Sequence, residues 1–476
     1  MTRSRLLMAI LAALMGLGGC SLAPEYKVPD VKLPTTFKEA GPWQAAAPAD
    51  QVPRGEWWRG FGDGKLDDLV QRIDSANLDL ARAIARYDGA RAFVNEARAS
   101  LFPEIGAAGG VTRNRQSEGR PLRGSNQPNT YSSDALGLGL GYELDFWGRV
   151  RNQVASGEAL AVASAADVMT VKLGLQAELA SNYFRLRGLD AEAKLLAETL
   201  DAYRKQLELI ENRYHEGIVS GVDVSRAKTQ LEEVRAQNFG ILAQRALYEH
   251  AIAQLVGEPA SSFSIEPAIY DIKQPEIPAG IPSQILQRRP DIAAAERRVA
   301  AANAEIGIAR AAFFPSIMLG GNVGYQNAAA AGLISAPNMF WSIGPQVLLS
   351  IFDAGRREAI VQRAQAKTGE AVAQYRGTVL QAVREVEDNL VVLRMLRDEQ
   401  QAEGAAVASA SHTFDLAMNR YREGAVNYLE VVDAEAAKLR TQRAALGLTT
   451  RGLLATVGLI RALGGGWADE AVNAKP

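Results

Sequence analysis

The sequence is short of cysteine, histidine, basic clusters and, over long stretches, proline, and each shortage excludes something. One cysteine, Cys20, in 476 residues rules out a disulfide framework or a thiolate metal cage within one chain. The three histidines, His215, His250 and His412, lie far apart with no carboxylates at ligand spacing, so they read as solvated surface groups. Basic residues number 52 against 54 acidic ones, and no Lys/Arg block of the kind that binds nucleic acid occurs. Proline is absent from residues 129–258 and again from 346–475, two blocks of 130 residues. Because proline removes a backbone donor and clashes with the preceding turn, such blocks are where very long helices can run. The prolines gather instead between Pro24 and Pro53 and between Pro259 and Pro282.

A long hydrophobic run is missing too. The apolar stretch Leu6 to Leu17 follows Arg3 and Arg5 and precedes Gly18, Gly19 and Cys20. At twelve residues it falls short of the roughly twenty that a helix needs to cross a bilayer. It reads as an export signal, residues 1–19, ending in a lipobox. Small residues before the cysteine let the thiol be lipidated and the chain cut, so Cys20 becomes the mature N-terminus carrying N-acyl and S-diacylglycerol lipid. No other cofactor is implied.

What is present is an internal repeat. Arg98, Ala99, Phe102, Pro103 and Ile105 recur 212 residues later as Arg310, Ala311, Phe314, Pro315 and Ile317. Asn212, Arg213, Tyr214, Glu216 and Gly217 recur 207 residues later as Asn419, Arg420, Tyr421, Glu423 and Gly424. One duplication with a shorter loop in the second copy explains both shifts. Each copy predicts a helix, two strands, a very long helix, a tight turn and a returning helix.

The strands show period-two patterning with one apolar face: Leu136, Leu138, Leu140, Tyr142, Leu144 and Phe146 alternate with Gly137, Gly139, Gly141, Glu143 and Asp145. Trp341, Ile343, Val347, Leu349 and Ile351 repeat the pattern, and apolar residues alternating with polar or glycine ones are the signature of a transmembrane barrel. Four strands cannot close a barrel, and an open edge cannot exist in lipid, so the barrel must be shared between subunits. The helices carry a coiled-coil seam: Leu179, Asn182, Leu186, Leu189, Ala193, Leu196, Leu200, Tyr203, Leu207, Ile210 and Tyr214 follow at alternating spacings of three and four. A single helix from Arg149 to Glu216 would be a rod of roughly 100 Å at 1.5 Å per residue. Such a rod is too long and too charged for a bilayer, so a helical tube reaching through the periplasm is expected.

The division expected is a signal peptide (1–19), a lipidated Pro-rich segment (20–56), a first repeat (57–257), a linker (258–282), a second repeat (283–467) and a tail (468–476). Within the first repeat the strands are expected near 104–113 and 133–146, the long helix near 149–216 and the return helix near 223–256. Within the second they fall near 316–325, 340–352, 356–423 and 428–463. The fold class is an α+β membrane protein with two internal repeats.

Several motifs then carry a resemblance: Trp57, Trp58, Phe61, Gly62 and Asp63; Tyr183, Phe184, Leu186 and Arg187; Arg288, Arg289, Pro290 and Asp291; and Ala462 to Trp467. Together they resemble the outer-membrane efflux protein family, the TolC-like outer membrane factors, in its lipoprotein branch. The resemblance implies a homotrimer with a twelve-stranded barrel, four strands from each chain, that passively conducts small toxic compounds out of a tripartite efflux pump. It also implies an adaptor protein in the periplasm, an inner-membrane transporter of the resistance-nodulation-division type, and an outer-membrane location. Trp57 and Trp58 are expected to pack and to do no chemistry.

Two groups of candidate site residues follow. Gly217, Gly221, Gly424 and Asn427 are expected to make the turns at the tip of the tube, where glycine permits the positive φ that ends a helix, and to dock the adaptor. By the resemblance, Glu430 and Asp433, three apart on one helix face, match an acidic pair ringing a gate. Asp223 matches a carboxylate that holds the tip closed, with Tyr421 as its hydrogen-bond partner. Val426 stands where the best-known duct has an arginine latch. Pieces of a serine-enzyme motif, Ser225 with Lys228 and Lys367 with Thr368 and Gly369, fall inside expected long helices, so no catalysis is expected. Two other readings stay open: an exit duct for exported proteins, and a structural coiled-coil lipoprotein.

Overall fold

The computed structural model describes residues 21–40, 56–121, 124, 128–269, 272, 274–275 and 288–465. The leader 1–19, the lipidation site Cys20, Gly466, Trp467 and the tail 468–476 lie outside the described residues, as do residues 270, 271, 273 and 276–282 of the expected linker. Helices α1 (Gly64–Ala76) and α2 (Leu78–Ala99) lead into strands β1 (Glu104–Arg115) and β2 (Thr130–Glu143). Helix α3 (Arg149–His215) and its return partner α4 (Gly221–Leu255) follow. The second half runs through α5 (Pro290–Ala311), β3 (Ser316–Asn327), β4 (Met339–Leu348), α6 (Arg356–Arg422) and α7 (Tyr428–Ala462). Both long helices are uninterrupted over 67 residues, a length that the absence of proline permits.

The strand boundaries differ from the sequence expectation for a physical reason. β2 stops at Glu143, not 146, because Asp145 turns its carboxylate to the first turn of α3, accepting from the backbone N–H of Val150 and Arg151 at 3.1 and 2.9 Å. β4 stops at Leu348, not 352, since Asp353 does the same for α6, accepting from Gly355 and Arg357 at 3.2 Å each. A carboxylate satisfying orphan donors at a helix start also complements the helix dipole.

The chain forms two compact units. One comprises the residues up to Pro29 with Arg86–Ser164 and Ala294–Tyr375, and holds a four-stranded antiparallel sheet in the order β1-β2-β3-β4. Register fixes its faces: Leu138 sits opposite Ala107 on one side and Val323 on the other, and Val323 opposite Trp341. Ile105, Leu138, Val323, Trp341, Ile343 and Val347 therefore share one face, and all six are exposed. The opposite face carries Gly139, Asn322, Ser342, Gly344 and Gln346. Close approach needs glycine here, since a Cβ at Gly324 would stand 2.5 Å from the Leu136 carbonyl oxygen. Among the described residues β1 and β4 pair on one side only.

The other unit comprises residues 30–85, 165–293 and 376 onward. Its main core joins Trp58, Phe61, Leu66 and Leu69 to Leu179, Tyr183, Phe184, Leu186, Ile252 and Val457. The aromatic motif residues are thus packing residues. Asp63 caps α1, accepting from Lys65 and Leu66 N–H at 2.9 and 3.1 Å, while its second oxygen accepts from the Tyr183 hydroxyl at 2.7 Å. Arg289 donates to Asp291, to Glu385 and to the Ala462 carbonyl, so one buried guanidinium ties the start of α5 to α6 and to the end of α7.

Candidate functional site at the helix turns

Helices α3 and α6 both end in the same backbone device. Gly217 N–H donates to Tyr214 O and Ile218 N–H to Arg213 O, with Gly217 at φ 78°. Gly424 and Ala425 repeat the two bonds to Tyr421 and Arg420, with Gly424 at φ 75°. This pair of crossed bonds satisfies the last helix carbonyls and requires the left-handed conformation that glycine adopts without strain. Three residues later each return helix is capped. Asn427 Oδ1 accepts from Glu430 N–H at 3.4 Å, and Asp223 Oδ2 accepts from both the backbone N–H and the hydroxyl of Ser220 at 3.2 and 3.0 Å.

Beneath these turns the four helices share a small core of Ile210, Ala227, Met418, Tyr421, Tyr428 and Val431, with Val219 and Val426 packed against it. Val426, at the position where the resemblance places an arginine latch, is part of this apolar packing. The turns themselves present apolar groups outward: Ile218, Val222 and Leu429 are exposed. Gly221 lies under the Tyr214 ring, 3.7 Å from where a Cβ would stand.

The gate residues are placed as follows. Glu430 and Asp433 are both exposed on the first turns of α7. Glu430 stands 4.0 Å from Arg420 on α6, a solvent-exposed pair of little energetic weight. Asp223 is committed to its capping serine and lies 3.9 Å from Arg226. The expected hydrogen bond between Asp223 and Tyr421 is not made. The Tyr421 hydroxyl is buried without a hydrogen-bond partner among the described residues, and its ring lies 5.1 Å beneath the Arg213 guanidinium and 5.5 Å from the Tyr428 ring.

One titratable group near the turns was not anticipated from sequence. Glu435 is 7% exposed and sits on the seam Tyr428, Val431, Glu435, Leu439 of α7. Gln206 Nε2 donates weakly to it at 3.5 Å, and its other oxygen is buried without a partner among the described residues. Burial, against a smaller opposing effect of Gln206 and Lys438, pushes its pKa up to about 7. The same burial raises the hydroxyls of Tyr203 and Tyr428. The signal was legible in principle, because position 435 continues the apolar spacing with an acid.

The residues of the serine-enzyme motif have structural partners. Lys228 pairs with Glu211 at 3.0 Å, Lys367 with Glu305 at 2.7 Å, and Thr368 donates to helix carbonyls.

Comparison with known proteins places these features. The family model for the outer membrane efflux protein matches residues 69–258 and again 281–465. The toluene efflux pump outer membrane protein TtgC of Pseudomonas putida is 33% identical over 476 residues, covering 100% of this chain and 98% of its own. A membrane protein of Pseudomonas aeruginosa solved by crystallography is 33% identical, with a TM-score of 0.87 over 94% of this chain and 98% of its own. The CmeC outer membrane channel of Campylobacter jejuni, 23% identical, shares the fold with a TM-score of 0.89 over 95% of this chain and 98% of its own.

Proposed function

Because the chain belongs to the outer membrane efflux protein family, we propose that it is the outer-membrane exit duct of a tripartite efflux pump, conducting small toxic compounds passively to the outside. The observation that carries this reading is the sheet. One face is apolar and exposed across all four strands, both edges are free among the described residues, and its strands feed helices of 67 residues. In lipid the unpaired backbone groups of β1 and β4 would each cost several kcal/mol, so the sheet must close with other copies. Three chains give twelve strands, an even number within the range of known barrels. The like series of elements in the two halves supports a duplication, and a homotrimer then places six similar units around one axis.

The helical turns are the parts that meet a periplasmic adaptor, which joins the duct to an inner-membrane transporter of the resistance-nodulation-division type. Exposed Ile218, Val222 and Leu429 give such a partner apolar surface to cover. Glu430 and Asp433 form the acidic gate, three copies giving six carboxylates around the lumen. Lipid on Cys20 adds a second anchor to the barrel. Planar-bilayer recording on purified protein tests the reading: discrete cation-preferring conductance is expected, and a protein that inserts no conducting unit overturns it. Loss of the gene should also sensitise the cell to the pump's toxic substrates.

A further inference from the structure

The residues that follow Cys20 lie in a groove between α5 and the start of α3. Ser21 Oγ donates to Asn152 Oδ1 at 2.9 Å, Asn303 Nδ2 to the Pro24 carbonyl at 2.8 Å, and Arg310 Nη1 to the Leu22 carbonyl at 3.3 Å. The Tyr26 hydroxyl donates to the Glu296 carboxylate. Between these bonds Ala23 is pressed onto α5 at Gly307. A Cβ at position 307 would stand 2.8 Å from both the Cβ and the backbone nitrogen of Ala23, and 2.5 Å from Asn152 Nδ2. Real Cβ atoms do not come that close, so the approach exists only because residue 307 is glycine.

The first repeat shows what the groove would otherwise be. At the repeat spacing of 212 residues, Gly307 corresponds to Asn95 on α2, Asn303 to Arg91 and Arg310 to Arg98. Arg98 is engaged with Glu158 at 2.6 Å, whereas Arg310 reaches a backbone carbonyl of the N-terminal segment. A helix interior gains no stability from glycine, which costs roughly 1 kcal/mol relative to alanine there. The glycine of α5 therefore has a packing reason, the close approach of Ala23 and of the Asn152 side chain that Ser21 bonds.

We propose that the groove centred on Gly307 is a docking site for residues Ser21 to Tyr26, which holds the lipid-bearing end of the mature chain against α5, next to the start of β3. Its ligand is an extended peptide, recognised through two backbone carbonyls and a position that tolerates only a small side chain. The purpose, though not the docking itself, rests on the lipidation of Cys20. An acyl chain on a free tether would sample the whole reach of the 36-residue Pro-rich segment that precedes Trp57; a seated tether fixes where the acyl chains enter the bilayer relative to the sheet.

Trypsin cleavage after Lys27, followed by mass measurement of the released peptide, tests the docking on detergent-extracted full-length protein. Lys27 is exposed, but a protease needs several residues on each side to leave the surface, so cleavage reports undocking. Gly307→Asn, which installs the residue of the other repeat, should be cut at least tenfold faster than the parent. Ala23→Leu should behave alike, and it alters only the segment, so it carries the test even if the helix variant assembles poorly. Parental cleavage rates in both variants would overturn the proposal. The intact mass of the same preparation separates it from the lipidation reading: an unmodified but protease-protected N-terminus would refute lipidation and leave the docking site standing.

Discussion

At the scale of single residues, the buried acid on α7 is the group whose behaviour is most sharply defined. Burial penalises the Glu435 carboxylate and pushes its pKa up from 4.5 to about 7 in the folded chain. The folded state therefore holds this proton more tightly than the unfolded state does. Below about pH 4 both states are protonated and the penalty vanishes; as pH rises toward 7 stability falls, and above 7 the full penalty applies. At 1.36 kcal/mol for each unit the penalty is about 3 kcal/mol per chain. Glu435→Gln should thus raise the thermal midpoint at pH 8 and confer little at pH 4.5. An equal gain at both values would show that the carboxylate is not what costs stability.

The exposed pair Glu430 and Asp433 calls for a different measurement, because the energetics of surface acids on a helix start are small. Glu430→Gln with Asp433→Asn should lower cation selectivity and block by multivalent cations in bilayer recordings while trimer yield stays unchanged. Unchanged selectivity would place the constriction elsewhere. Residue roles of this kind were only partly legible in the sequence. Spacing put Glu430 and Asp433 on one face, and the S-x-x-D spacing of Ser220 and Asp223 carries the local signature of a capping box, but nothing local could show that Tyr421 turns its hydroxyl into an apolar cluster.

At the scale of elements, local chemistry dictated most of what is seen. The seam residues Leu179, Leu186, Leu196, Tyr203 and Ile210 are all buried, since a heptad stripe of large apolar groups finds lower free energy only against another helix. The glycine turns were legible for the same reason, as left-handed φ is strained for other residues. The seat of residues 21–26 was not, since they have no period to read and are held by Asn152, Asn303 and Arg310, distant in sequence, with the space that Gly307 leaves. For the turns, Gly217→Trp and Gly424→Trp should abolish efflux while leaving trimer yield intact. Substitution there costs on the order of 1–2 kcal/mol for the left-handed backbone, which a helix pair joined by its own core can absorb, so the loss must come from the blocked surface. Efflux at the parental level in both variants would remove the turns from the docking surface.

At the scale of the whole molecule, the decisive question is which face of the sheet meets lipid, and two neighbouring residues of β4 answer it. Ile343 and Gly344 are adjacent, so their side chains point to opposite faces. Ile343 is 68% exposed among Leu140, Gly321 and Trp341, on the apolar face. Gly344 has open space where a Cβ would stand, on the face of Ser342 and Gln346. In the proposed trimeric barrel a lysine on the lipid side costs about 2–4 kcal/mol at the bilayer midplane, and every subunit bears that cost. Ile343→Lys should therefore sharply reduce the fraction of chain that reaches the outer membrane as a heat-resistant trimer. Gly344→Lys points its charge into water, so it should insert at the parental level and shift the channel toward anions, having placed three positive charges in the lumen. The two variants share the added lysine, the strand and the net charge, so general effects of an added lysine cancel in the comparison. Equal insertion of both would mean that the apolar face is not lipid-facing, and a reversed order would mean that the barrel is turned inside out relative to this assignment.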